Sequence, residues 1–114
     1  MEDIEDFETW IIDTGDTVIR KEASEGTGNL TDAECAAYDL WAVDYAVRNA
    51  GDMRALKEMR PKAAKDLSAF LKKTGHADLA ASMLKLGKSG EDCDLYYDLF
   101  EQLCTAVNRS LVRT

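Results

Sequence analysis

Helical periodicity is the only regular pattern in this chain, and its single proline, Pro61, does little to interrupt it. No stretch alternates apolar and polar residues as a half-buried strand would, and there is no internal repeat or low-complexity tract. Abundant Ala, Leu, Lys, Glu and Asp point the same way. On a helical wheel Ile4, Phe7, Trp10, Ile11, Thr14, Gly15 and Val18 fill one continuous arc. This predicts an amphipathic helix from Asp3 to about Lys21. Gly15 lies on its apolar side, where it either permits close packing or breaks the helix within Asp13-Thr14-Gly15-Asp16. Ser24 to Asn29 reads as a loop.

Thr31 and Glu34 fit a capping box, in which an N-cap hydroxyl and the carboxylate three residues on satisfy each other's backbone N–H. The helix they open is expected to reach about Ala50, with Gly51 as its exit. Asp52 can cap a short helix through Arg60. Pro61 suits the first turn of the next, which Gly75 terminates. Ala77 to Leu86 reads as a further helix ended by Gly87. After Ser89 and Asp92, a final helix spans about Glu91 to Leu111, burying Tyr96, Leu99, Phe100, Leu103, Cys104, Val107 and Leu111. The expectation is an all-α fold, a single helical domain over residues 1–114 built as a bundle of five or six helices.

The charges are sorted along the chain. Residues 1–47 carry 13 Asp/Glu against two Lys/Arg, residues 48–90 four against ten, and residues 91–114 five against two. The total is −8. Such a surface repels nucleic acid and anionic membrane and attracts basic proteins. No apolar run approaches the ~20 residues that span a bilayer. The opening MEDIEDFE is the opposite of a signal peptide. Cys35, Cys93 and Cys104 form an odd set without CxxC spacing, which predicts free thiols and a reducing cytoplasm.

Two acidic rows are the candidate partner-binding residues. Glu2, Glu5, Asp6, Asp13 and Asp16 share the side of the first helix that faces away from its apolar arc. Asp94, Asp98 and Glu101 follow i, i+4, i+7 spacing on the last. Carboxylates three or four residues apart stand about 5–6 Å apart at Cβ, comparable to the one phosphate per ~3.4 Å along a nucleic-acid strand. A rigid double row could occupy a basic nucleic-acid-binding groove; the plainer reading is a solvated helix face. The basic block, with Arg54, Lys57, Arg60, Lys62, Lys65, Lys72 and Lys73, lacks interleaved aromatics, so solvation or pairing with the acidic segments is the expectation. Head-to-tail pairing of two copies, and hence a homodimer, is also open.

Asp44 falls inside the apolar arc shared by Ala37, Leu40 and Val47. A carboxylate there needs donors, from backbone N–H groups or an arginine, and reads as a structural anchor. Its catalytic alternative lacks a second group. His76, directly after Gly75, reads as a helix-start residue because no His/Cys cluster accompanies it. Cys93 and Cys104 lie too far apart along one helix to share a metal. No GxGxxG, P-loop, GxSxG or HExxH occurs, so no enzyme activity, cofactor or metal is expected.

The segment from Leu30 to Gly51, LTDAECAAYDLWAVDYAVRNAG, resembles the opening motif of a bacterial all-helical family of mostly unknown function that includes a DNA-mimic protein. Tyr38, Trp41, Asp44, Asn49 and Gly51 match its aromatic pair, acidic residue and terminal Asn-Gly-Gly in order. Ala50 stands where the family has the first of those glycines, and Asp52-Met53-Arg54-Ala55-Leu56 replaces an aromatic, Asn-containing segment. The resemblance implies an all-α fold, structural roles for Asp44, Asn49 and Gly51 beside those of the capping residues Thr31 and Glu34, and an acidic surface like the one by which the DNA mimic covers a transcription factor's DNA-binding face. The chain thus reads as a cytoplasmic, acidic protein-binding module. Its expected partner is a basic nucleic-acid-binding protein, with a phage-type antidefence inhibitor among the candidates, and it binds neither nucleic acid nor membrane directly. The alternative is an immunity-type or oligomeric protein that binds through an aromatic helix face.

Overall fold

The computed structural model describes residues 4–51, 56, 60–89 and 93–113. Among them are five α-helices: α1 (Phe7–Glu25), α2 (Asp32–Tyr45), α3 (Ala63–Lys73), α4 (Ala77–Ser89) and α5 (Cys93–Arg113). A 3-10 turn at Thr27–Asn29 joins α1 to α2, and a π-helical turn at Ala46–Ala50 extends α2. No strand occurs among the described residues, and the fold is an all-α bundle. The proposed helix from Asp52 to Arg60 lies largely outside the described residues, as do Asp3, Glu91 and Asp92.

α2 is the central element and packs against α1, α3 and α5. Its alanines explain how it can face three neighbours. Ala33, Ala36, Ala37, Ala42 and Ala46 are all buried, and their small side chains let flanking helices approach closely, while Leu40, Val43 and Val47 fill the gaps between. α1 runs antiparallel to α2, as the pairs Lys21–Glu34, Gly15–Trp41 and Glu8–Arg48 show. α3 and α4 form a helical hairpin, tied by the buried Ser68 hydroxyl donating to the Ala80 carbonyl at 2.6 Å.

Most helix boundaries follow local capping chemistry. The capping box is complete: Thr31 Oγ1 accepts from the Glu34 N–H at 3.1 Å, and Glu34 Oε1 from the Thr31 N–H at 2.9 Å. At Gly75 the backbone turns to φ 89°, and His76 N–H donates back to the Leu71 carbonyl at 2.8 Å, which closes the end of α3. Gly51 ends the π turn in the left-handed region at φ 66°.

Five expectations need correction. α1 begins at Phe7 with Asp6 as its N-cap, so Ile4 and Glu5 precede the helix and do not lie on its faces. α1 runs four residues past Lys21 and ends at Gly26, whose φ of 88° breaks the helix while its N–H donates back to the Glu22 carbonyl at 2.8 Å. The region read as a loop accordingly contains the end of α1 and a 3-10 turn. Pro61 precedes α3 in a turn with Lys62 and does not sit in its first turn. Gly87 does not stop α4, which continues to Ser89. Glycine within a helix costs only about 1 kcal/mol, so it need not end one.

Gly15 does not break α1 but sits at its closest approach to α2. A Cβ there would lie 2.9 Å from the Trp41 Cβ and nearer still to the indole ring. Alanine normally gains about 1 kcal/mol over glycine in a helix interior, but overpacking of this kind costs about 1–3 kcal/mol. Gly15→Ala is therefore expected to lower the thermal midpoint by several degrees, whereas the same change on an exposed helix face would raise it; differential scanning calorimetry reads the sign directly.

Candidate functional site

The first and last helices touch near the start of α1. Phe7 meets Phe100 edge-on at 6.4 Å, and the Trp10 indole N–H donates to Asn108 Oδ1 at 3.2 Å. This brings part of the two acidic rows together. Glu5, Asp6 and Glu8 from the α1 end and Glu101 from α5 line one cleft of about 420 Å³, with Phe7, Arg48 and Phe100 as its other walls. Glu8 belongs to this group but not to the predicted row.

The remaining row residues are distributed along the same two helices. Asp13 and Asp16 are exposed further along α1, and Asp94 and Asp98 are exposed nearer the start of α5. Glu2 lies outside the described residues. Two members also have structural duties. Asp6 is the N-cap of α1 and accepts from the Thr9 N–H at 3.2 Å, a bond that lowers its pKa. Asp16 pairs with Arg20 one turn on, at 3.1 Å.

Beneath the cleft, Asp44 is 6 % exposed and its Oδ1 accepts two bonds of 2.7 Å, from the Tyr96 hydroxyl and from Arg48 Nε. Tyr96 is wholly buried, and burial followed by the neighbouring Asp44 carboxylate drives its phenol pKa well up, so the hydroxyl stays a donor. Arg48 continues outward. It pairs with Glu8 at 2.8 Å and lies over the Tyr97 and Phe100 rings at 5.2 and 4.6 Å. One guanidinium thus ties the end of α2 to both acidic helices. Asn49 is exposed in the π turn beside it. Glu34, besides its part in the capping box, pairs with Lys21 at 2.9 Å; the Thr31 N–H bond, then Lys21, lowers its pKa.

A second buried carboxylate escaped the sequence reading. Asp39 is 3 % exposed and pairs with Arg60 at 2.5 Å, and the Arg60 guanidinium also stacks 4.0 Å over Tyr38. Asp39 stands three residues after Ala36 and four before Val43, both buried, so helical spacing did carry the signal. Lys73 reaches Asp32 at 2.5 Å, so two cations of the basic block pair with acids of α2. Lys62, Lys65 and Lys72 are exposed.

Burial raises the Asp39 pKa to about 6, with Arg60 opposing the shift. In the unfolded chain the carboxyl titrates near 3.8. The folded state therefore holds the proton more tightly, and this contribution to stability is full below about pH 4 and lost as pH rises through 6. The loss is on the order of 3 kcal/mol. Urea unfolding of Asp39→Asn at a series of pH values is expected to lack this falling limb.

Comparison with protein-family models, curated proteins and solved structures finds no match. Among the described residues no group of His, Cys, Asp or Glu could hold a metal ion, and no helix is long and apolar enough to cross a membrane. Cys35 is half-buried and Cys104 buried, both as free thiols, and His76 directly precedes α4. The face built by α1, the end of α2 and α5 also exposes large apolar side chains. Ile12, Tyr45 and Tyr97 keep 59, 46 and 48 % of their surface open. Ile12 follows Glu8 by one helical turn and Tyr45 precedes Arg48 by one, so they flank the Glu8–Arg48 pair.

Proposed function

We propose that this chain is a non-catalytic, acidic protein-binding module that occludes the basic nucleic-acid-binding surface of a partner in the bacterial or phage-infected cytoplasm, acting as a DNA mimic or antidefence inhibitor. The observation that carries this reading is the meeting of the two acidic rows, where Glu5, Asp6, Glu8 and Glu101 line one cleft. Asp13 and Asp16 prolong the negative surface along α1, and Asp94 and Asp98 prolong it along α5. Carboxylates fixed on packed helices present charge to a basic groove without having to be ordered on binding. The Tyr96–Asp44–Arg48–Glu8 chain supports that rigidity, because it links α5 through the end of α2 to α1.

An immobilised copy of the protein, exposed to cell lysate, is expected to retain basic nucleic-acid-binding proteins at low salt and release them at high salt. Added duplex DNA should compete. Retention of neutral partners that survives high salt would favour the second reading, an immunity-type or oligomeric contact through the exposed Tyr45, Tyr97 and Ile12.

A further inference from the structure

Two guanidinium groups, those of Arg48 and Arg60, share one kind of environment, a carboxylate beside an aromatic ring. Arg48 pairs with Asp44 and Glu8 while lying over Tyr97 and Phe100. Arg60 pairs with Asp39 while lying over Tyr38. The face of α1, α2 and α5 presents the same components outward. Tyr97 is about half exposed and has Asp94 three residues before it and Glu101 four after it, both exposed on α5. Tyr45 is equally exposed and tilts against Trp41 at 5.5 Å. Across the antiparallel α1–α2 seam, Ile12 is flanked by Glu8 and Asp16 at i−4 and i+4. The cations near this face, Arg20 and Arg48, are already paired with Asp16 and with Asp44 and Glu8.

We propose that this exposed tyrosine face, rimmed by carboxylates, docks a partner segment rich in arginine in preference to lysine. The inference rests on the reading of a basic partner and specifies its chemistry. Charge complementarity sets the sign of the occupant, and the rings set its identity. A planar guanidinium stacks on Tyr97 while its edge N–H groups reach Asp94 or Glu101, each one helical turn away, and Tyr45 offers a second ring; a lysine ammonium is more strongly hydrated and offers no such fork. Long-range attraction to the carboxylates is about equal for the two cations at a given net charge, so it is the ring, by holding the guanidinium plane where its fork can be used, that separates them.

The test compares fluorescein-labelled octa-arginine and octa-lysine peptides binding to the full chain by fluorescence anisotropy, at low and at physiological ionic strength. Octa-arginine is expected to bind roughly tenfold tighter, with both peptides weakening as salt rises. Tyr45→Leu combined with Tyr97→Leu keeps apolar bulk at exposed positions, and circular dichroism checks its fold. This variant should lose the arginine preference but keep the salt dependence. Equal affinity for the two peptides, or a preference that survives in the double variant, overturns the inference while leaving the basic-partner reading in place. Binding of neither peptide overturns both.

Discussion

Replacing Asp44 with alanine is expected to cost about 3 kcal/mol of folding stability, a fall of roughly 10–20 °C in the thermal midpoint. The size follows from what remains behind. The Tyr96 hydroxyl is wholly buried and would lose its acceptor, and the Arg48 Nε would lose its carboxylate in a part-buried site. An orphaned buried donor costs about 1–3 kcal/mol, more for a charged one. The Arg48 side chain is 26 % exposed, so it can recover some solvation, which holds the total below that of a fully buried broken pair. Tyr96→Phe removes the same hydrogen bond from the other side, yet leaves Asp44 paired with Arg48, and should cost only about 1 kcal/mol. The double variant is expected to cost less than the sum, because either change alone already breaks the shared bond. Chemical denaturation of the four proteins measures all three quantities.

The second large effect concerns binding. Charge reversal at Glu5 and Glu101 together is expected to weaken association with the basic partner by about a hundredfold, chiefly by slowing the on-rate. Glu5, just ahead of α1, and Glu101, on α5, approach the same cleft from different segments, and neither caps a helix as Asp6 does. Their loss therefore reads charge without confounding it with stability. Asp6→Lys, by contrast, would also remove the α1 cap at a cost of about 1 kcal/mol. Stopped-flow association rates, taken beside thermal midpoints of the same variants, separate the two contributions.

Much of this architecture is encoded locally and could be read in advance. A capping box needs only Thr31 and Glu34 three residues apart, and Gly51 and Gly75 mark places where the chain must enter the left-handed region. The arcs of α1 and α5 were legible because burial on a helix repeats with the helix. Ile11, Gly15 and Val18, then Tyr96, Phe100, Leu103, Cys104 and Val107, are all buried.

The unread features depend on residues far apart in the chain. Nothing around Gly15 announces Trp41 as its neighbour, and nothing around Asp39 announces Arg60. Nothing around Arg48 announces that it joins Asp44, one turn away, to Glu8 at the start of α1. The π turn at Ala46–Ala50 has no compositional signature either; it is a local widening at the end of a helix packed on several sides. The acidic site was legible in the same divided way. Which residues carry the charge followed from the wheel, but that Glu5, Asp6 and Glu101 meet, and that Glu8 joins them, required the packing of α1 against α5.

The central claim is that a fixed carboxylate surface takes the place of a nucleic-acid backbone on a basic partner. The most direct measurement is the equilibrium affinity for that partner across a range of salt concentrations, with and without duplex DNA. The logarithm of the affinity is expected to fall linearly with the logarithm of salt concentration, and DNA and this protein to displace each other from one site. An affinity that stays flat as salt rises, or a ternary complex in which the partner holds DNA and this protein at once, would contradict it.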